Sequence, residues 1–203
     1  MRLSNFEIKK YYQPKTNPMI LEIPTFKYIT IDGMGNPNGA LFQQATEALY
    51  AISYAIKMSY KKETPPEGYY EYKVFPLEGI WDLIDKSKPS TDKDNYRYTL
   101  LIQQPDFVTE ELFRKYLGEV MIKKSNPKLK DLKYQEMSDG LVCQMLHIGP
   151  YDDEPASFSA MKEFMTSNGY IRDDLTHKEI YLSDPRRTDP SKLKTILRFH
   201  IRK

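Results

Sequence analysis

One short segment, HKEIYLSDPRR (residues 177–187), combines residue types that could bind a ligand or do chemistry. If it forms a strand, its side chains alternate between two faces. Glu179, Tyr181 and Ser183 then share one face, while Ile180 and Leu182 point into the core. A carboxylate beside an aromatic ring can hold a cation or position a water molecule. The plain alternative is that Glu179 is a solvated side chain on an exposed strand face.

Two further aromatic residues could belong to the same site. Trp81 follows Gly79 at the end of the aromatic run YYEYKVFPLEGIWDL, and Tyr151 follows the pair Gly149-Pro150. An apolar lining with a few polar groups is typical of a small-molecule pocket. Each residue also has an ordinary explanation, since Trp81 could pack locally and Tyr151 could close a turn.

Other chemistry-bearing residues do not form recognisable sites. The chain has a single cysteine, Cys143, which lies in an apolar strand pattern and is expected to be an inert core thiol. The three histidines, His147, His177 and His200, have no second ligand at metal-binding spacing, so we expect neither a metal nor another cofactor. Ser157 lies outside any nucleophile-elbow motif, which argues against a serine hydrolase.

Bulk composition narrows the class of protein. The 203 residues carry a net charge of +2, with basic and acidic residues interspersed, so no nucleic-acid partner is expected. No run of about 18 apolar residues occurs, which argues against a membrane span. The first residues, MRLSNFEIKK, lack the apolar region of a signal peptide, so we expect a cytoplasmic protein.

The order of elements predicts an α+β fold built from a repeat. Each half, roughly residues 18–125 and 130–203 of a single domain, runs strand, Gly- and Pro-containing turn, helix, strand, strand. Such halves predict an antiparallel sheet with helices on one face. In the second half we expect two short strands joined by a turn at Asp139-Gly140. In the first half, the aromatic segment from Tyr69 onward is expected to be strand.

Several separate segments resemble one known family. LHIGPYDDEPASFSAMKEFMTSNGY and HKEIYLSDPRRTDPSKLKTILR are similar to the signature turn, helix and closing hairpin of GyrI-like small-molecule-binding proteins. GNPNG, AIKMSYKK and YYEYKVFPLEGIWDL resemble a stand-alone branch of that family. The resemblance implies a tandem of strand-helix-strand-strand units with a pseudo-two-fold axis and a ligand cleft between the halves. It also implies that Glu179 is the cleft glutamate that faces bulky, aromatic, often cationic ligands.

The resemblance to the stand-alone branch also implies a possible reaction. Some of its members look like hydrolases of cyclopropane-bearing, DNA-alkylating compounds that work through an aromatic cage. Glu179 would then orient or deprotonate water, and the hydroxyl of Tyr151 would stabilise the developing oxyanion. The residues expected to contact the ligand are Trp81, Tyr151, Glu179, Tyr181 and Tyr70.

Three functions stay open at this point. The first is hydrolytic detoxification, the second is drug binding or sequestration without chemistry, and the third is binding to a partner protein, as a gyrase inhibitor of the family does. The mixed surface charge shows no acidic patch that would favour the third. We expect a monomer or a weak homodimer.

Overall fold

The fold combines helices and antiparallel strands, as the sequence predicts. The computed structural model describes residues 11–62 and 65–203, so the N-terminal segment that was expected not to be a signal peptide lies largely outside the described residues. The described helices are α1 (Ala40–Lys57), α2 (Glu110–Lys123) and α3 (Glu154–Ser167). The strands are β1 (Met19–Met34), β2 (Leu77–Leu83), β3 (Tyr96–Gln104), β4 (Lys133–Ile148), β5 (His177–Tyr181) and β6 (Lys194–His200).

The six strands are hydrogen-bonded in the order β1-β3-β2-β5-β6-β4, and the order closes into a barrel. Strand β6 is paired antiparallel with both β4 and β5. In this register Arg198 lies opposite Gln144 on one side and Lys178 on the other. Polar side chains from three strands are therefore brought into one row.

Local signals in the sequence account for the ends of the helices. The side chain of Thr109 accepts a hydrogen bond from the backbone N–H of Leu112 and caps α2. Pro155 lies in the first turn of α3, where its missing N–H costs nothing. Gly169 follows α3 with a φ of 77°, the left-handed conformation that often ends a helix. Among the described residues, no helix is both long and apolar enough to cross a membrane.

Two predicted strand boundaries are wrong. The segment 133–148 is one continuous strand, β4, and not two strands joined by a turn at Asp139-Gly140. Gly140 instead adopts a φ of 57° within the strand, where it changes the backbone path without ending the pairing. In addition, residues 69–76 have no regular secondary structure, so β2 begins only at Leu77.

The residues divide into two compact units. In its described part, unit 1 contains residues 11–25, Glu78–Asp82 and Ser138–Lys203, and unit 2 contains Phe26–Leu77 and Leu83–Met137. The core of unit 1 includes Cys143, Met161, Leu197 and Phe199, which lie around α3 and β6. Burial raises the pKa of the Cys143 thiol to about 12, so Cys143 stays a thiol in this core. The repeat boundaries inferred from the sequence stay a prediction.

Unit 1 also buries a network of charged side chains. Nζ of Lys178 lies 2.7 Å from Asp139 and 3.3 Å from Glu78, and Nη1 of Arg198 donates to Asp139 at 2.6 Å. The hydroxyl of Tyr12 donates to Glu78 at 2.9 Å. Burial raises the pKa of Asp139, but the charges of Lys178 and Arg198 more than offset it, and the net pKa is lowered. Asp139 is therefore an ionised carboxylate that compensates two buried cations.

We predict that Asp139→Asn lowers the free energy of unfolding by about 3–5 kcal/mol, because it leaves Lys178 and Arg198 buried with too little negative charge. Urea unfolding measures the change. The matched control is Asp173→Asn, which breaks an exposed ion pair with Arg202 and should cost less than about 1 kcal/mol. Equal effects for the two variants would contradict the assigned role of Asp139.

Candidate functional site

Strand β5 places Glu179 and Tyr181 on one face, as the alternation predicts. Oε2 of Glu179 accepts a hydrogen bond from the Tyr181 hydroxyl at 2.7 Å, and Oε1 lies 3.1 Å from Nε2 of His177. The opposite face carries the buried Lys178 and Ile180. The side chain of Glu179 is only 13% exposed, so it is not the solvated carboxylate of the alternative interpretation.

The prediction that Leu182 points into the core is wrong. Strand β5 ends at Tyr181, and Leu182 follows it with 37% of its surface exposed. Its backbone N–H donates to the carbonyl of Lys194, and Ser183 Oγ accepts from the backbone N–H of the same lysine. The chain has left regular strand geometry here, so the alternation of faces no longer applies.

The central residues of β2 bring Trp81 to Tyr181. Nε1 of Trp81 donates a hydrogen bond to the Tyr181 hydroxyl at 2.9 Å, and Trp81 is 8% exposed. Gly79 makes this approach possible, because a Cβ at that position would lie 2.7 Å from Nε1 of Trp81. The indole N–H, the tyrosine hydroxyl and the Glu179 carboxylate thus form one hydrogen-bonded chain.

Tyr151 reaches the same place from the loop between β4 and α3. Its ring lies edge-on to Tyr181, with 6.0 Å between the ring centroids. The ring of His147 fixes this loop, since its Nδ1 lies 2.9 Å from Ser157 Oγ and its Nε2 lies 3.0 Å from the Pro150 carbonyl oxygen. Nε2 of His147 therefore holds the backbone beside Tyr151 and Nδ1 contacts α3, which is a structural use of His147.

Helix α3 contributes a second carboxyl group, Glu154, which the sequence does not single out. Glu154 is the first residue of α3, is 6% exposed, and lies within hydrogen-bonding reach of Glu179. No donor of the described residues reaches its buried Oε1. Burial and the neighbouring charge of Glu179 raise the pKa of Glu154 to about 9. Glu154 is therefore a neutral carboxylic acid at pH 7.

One turn further along α3, the aromatic ring of Phe158 packs against His177, the neighbour of Glu179. Its ring meets the His177 ring edge-on, with 4.9 Å between the centroids. The guanidinium of Arg172 lies over the Phe199 ring at 4.1 Å and over Phe158 at 5.8 Å. The spacing of Glu154 and Phe158, four residues apart on a helix, is the signal that these two side chains share a face.

The two tyrosines of the site remain protonated at neutral pH. Burial, followed by the charges of Glu179 and Glu154, raises the pKa of Tyr151 to about 12. Burial and the adjacent Glu179 raise the pKa of Tyr181 well above its usual value. Each hydroxyl therefore keeps a proton that it can donate in a hydrogen bond.

Tyr70, the remaining residue expected to contact a ligand, belongs to unit 2. Its ring packs edge-on against Phe107 and Tyr72, at centroid distances of 5.6 and 6.2 Å. A role for Tyr70 in ligand binding stays a prediction. The other four expected residues, Trp81, Tyr151, Glu179 and Tyr181, all belong to unit 1. Within the described part of the chain, no three His, Cys, Asp or Glu side chains are placed to hold a metal ion.

Comparison with known families identifies the fold. The profile of the GyrI-like small molecule binding domain matches residues 16–202. The chain belongs to the GyrI-like family of small-molecule-binding domains. A comparison with curated proteins gives no match.

Solved structures similar to this GyrI-like chain include two proteins from Listeria innocua. One, described as a hydrolase, shares 37% identity with a TM-score of 0.88, and the alignment covers 97% of this chain and 98% of the other. The second, an uncharacterised conserved protein, shares 38% identity with a TM-score of 0.91 over 97% and 98% of the two chains. The C-terminal domain of EcmrR has the same fold at 13% identity, with a TM-score of 0.58 over 92% and 98% of the chains.

The neutral carboxyl of Glu154 predicts a specific pH dependence of stability. The pKa of Glu154 is about 9 in the folded protein and about 4.3 in the unfolded chain. The contribution of Glu154 to the free energy of unfolding is therefore fully present below about pH 4 and is lost as the pH rises toward 9. Glu154→Gln removes this loss. In urea unfolding between pH 5 and 8, the free energy of unfolding of the variant should rise relative to that of the wild type by up to about 1.4 kcal/mol per pH unit.

The control for this measurement is Glu163→Gln, which removes an exposed carboxyl from the same helix. Its stability should run parallel to that of the wild type at all pH values. If Glu154→Gln also runs parallel, then Glu154 is ionised in the folded protein and the carboxyl pair does not hold a proton.

Proposed function

We propose that this GyrI-like protein binds bulky, flat aromatic molecules among Trp81, Tyr181 and Tyr151, beside the carboxylate of Glu179. The observation that carries the proposal is the largely buried Glu179 in hydrogen-bonded contact with Tyr181, which is itself bonded to Trp81. Ring faces provide apolar contact for a fused-ring ligand and attract cations. A carboxylate among such rings adds charge complementarity that water screens weakly.

We further propose that the site hydrolyses a cyclopropane that is conjugated to a carbonyl, the detoxification reaction that the resemblance to the stand-alone branch implies. The oxygen of water would bond to the exposed ring carbon, a ring C–C bond would break, and its electron pair would move to the carbonyl oxygen. Glu179 would take the proton of the attacking water after one of its oxygens releases its present partner, Tyr181 or His177. The protonated Tyr151 would donate a hydrogen bond to the oxygen that gains charge.

In this reaction Glu154 would supply the proton that the carbonyl oxygen gains when the ring opens. It is neutral at pH 7 and lies beside Glu179, so one carboxyl can donate a proton while the other accepts one. The product would be the ring-opened phenol or enol with one molecule of water added. The 37% identity to a Listeria innocua protein described as a hydrolase agrees with this proposal.

A second candidate is binding without chemistry, for sequestration or sensing of a drug. The specific observation in its favour is that both oxygens of Glu179 already face partners, Tyr181 and His177. A carboxylate held in this way is well placed to attract a cation but must change partners to deprotonate water.

Incubation with a cyclopropane-bearing alkylating compound separates the two candidates. The hydrolase proposal predicts a product heavier by one water, and Glu179→Gln should lower turnover by about 10²–10⁴. Glu163→Gln serves as the control and should turn over like the wild type. If the wild type forms no hydrated product but binds the compound, the protein is a binder.

Binding itself can be followed through Trp81, the one tryptophan in the chain. A flat aromatic ligand should change its fluorescence, and Trp81→Ala should weaken binding by about 1–3 kcal/mol through lost aromatic contact. Calorimetry measures affinity for the variant, and Tyr54→Ala, at an exposed position on α1, is the control. Unchanged emission at saturation, or unchanged affinity in a folded Trp81→Ala, would contradict this site.

A further inference from the structure

The hydrogen bonds that the described residues make to the two carboxyl groups leave one buried oxygen of Glu154 without a donor. Glu179 accepts from Tyr181 through Oε2 and faces His177 through Oε1. Glu154 lies within hydrogen-bonding reach of Glu179, yet no donor among the described residues reaches its buried Oε1. Two carboxyl oxygens in contact are both acceptors, so without a ligand only a shared proton can join them.

In the part of the chain that the structure describes, no Lys, Arg or His side chain donates a hydrogen bond to that oxygen of Glu154. From β5, Glu179 and His177 face this region, and His177 is occupied with Glu179 and with the Leu175 carbonyl. The loop before α3 carries Asp152 and Asp153, both exposed. The other titratable groups around the site are Tyr151, Tyr181, Asp184, which is paired with Arg186, and Arg172, whose guanidinium lies over the rings of Phe199 and Phe158.

We propose that this site also binds aromatic cations with at least two N–H donors, such as an amidinium, which bridge Glu154 and Glu179 and replace the proton that they share. The inference rests on the proposed aromatic binding site and adds the chemical class of its ligand. A planar N–H cation matches carboxylates through paired, charge-assisted hydrogen bonds. A quaternary ammonium ion gains the Coulomb attraction but has no proton to give to Oε1.

Exchange of a proton for a ligand cation makes binding depend on pH. Because the raised pKa of Glu154 keeps the pair protonated at neutral pH, a bridging cation must release that proton. Affinity should therefore rise with pH between 6 and 9, by up to about tenfold per pH unit.

The test compares three naphthalene probes of similar size by calorimetry at pH 7.5. These are 2-naphthamidine, a cation with N–H donors; trimethyl(2-naphthyl)ammonium, a cation without them; and 2-naphthamide, which is neutral. The amidine should bind at least about tenfold more tightly than the quaternary cation. Titrations in phosphate and in Tris, whose ionisation enthalpies differ, should show release of close to one proton for the amidine alone.

Variants show which carboxyl group releases the proton and which one accounts for the tighter binding of the amidine. Glu154→Gln should remove both the proton release and the advantage of the amidine, while leaving the affinity of the quaternary cation within about twofold, since the net charge of the site hardly changes. Glu163→Gln should behave like the wild type. The proton count is measured on the wild-type protein, so the test holds even if Glu154→Gln fails to fold.

The outcomes distinguish this inference from the proposed function. If none of the three probes binds, the aromatic site itself is wrong. If the quaternary cation binds as tightly as the amidine and no proton is released, the site stands and the bridging role of Glu154 is overturned.

Discussion

Burial of charge on the two faces of β5 is the constraint on which the site depends. On one face, the buried cations Lys178 and Arg198 compensate the ionised Asp139, and Glu78 lies 3.3 Å from Lys178. On the other face, Glu179 and Glu154 meet without such a balance. Because successive residues of a strand alternate, Lys178 of the ionic network and Glu179 of the carboxyl pair come from adjacent positions of β5.

The carboxyl pair on the second face lowers the stability of the fold at neutral pH. A carboxyl that must stay protonated at pH 7 lowers stability relative to an amide of the same shape, which is typical of functional sites that trade stability for activity. Glu154 stays neutral although it is the first residue of α3, where the helix dipole favours a negative charge. Desolvation and the nearby Glu179 therefore outweigh the dipole.

Much of this arrangement could be predicted from the sequence, and the exceptions have physical causes. Strand alternation predicts that Glu179 and Tyr181 lie together, whereas tertiary contacts bring Tyr151 and Trp81 to Tyr181. The continuity of β4 was missed because Asp139-Gly140 is a common turn pair, whereas here Asp139 is held by two buried cations. Glu154 was missed because an acidic residue at the start of a helix ordinarily faces solvent, and only tertiary packing turns it toward Glu179.

The GyrI-like fold leaves open which molecule is bound, since related proteins with this fold differ widely in sequence. The residues that would decide it in this chain are the hydrogen-bonded Trp81, Tyr181 and Glu179. A crystal structure with a bound flat aromatic cation would test their role most directly. We expect the ligand to contact Trp81, Tyr181 and Tyr151, with its charge beside Glu179. A ligand bound instead at Tyr70 and Phe107, with the Trp81–Tyr181–Glu179 hydrogen bonds free of ligand contact, would contradict this account.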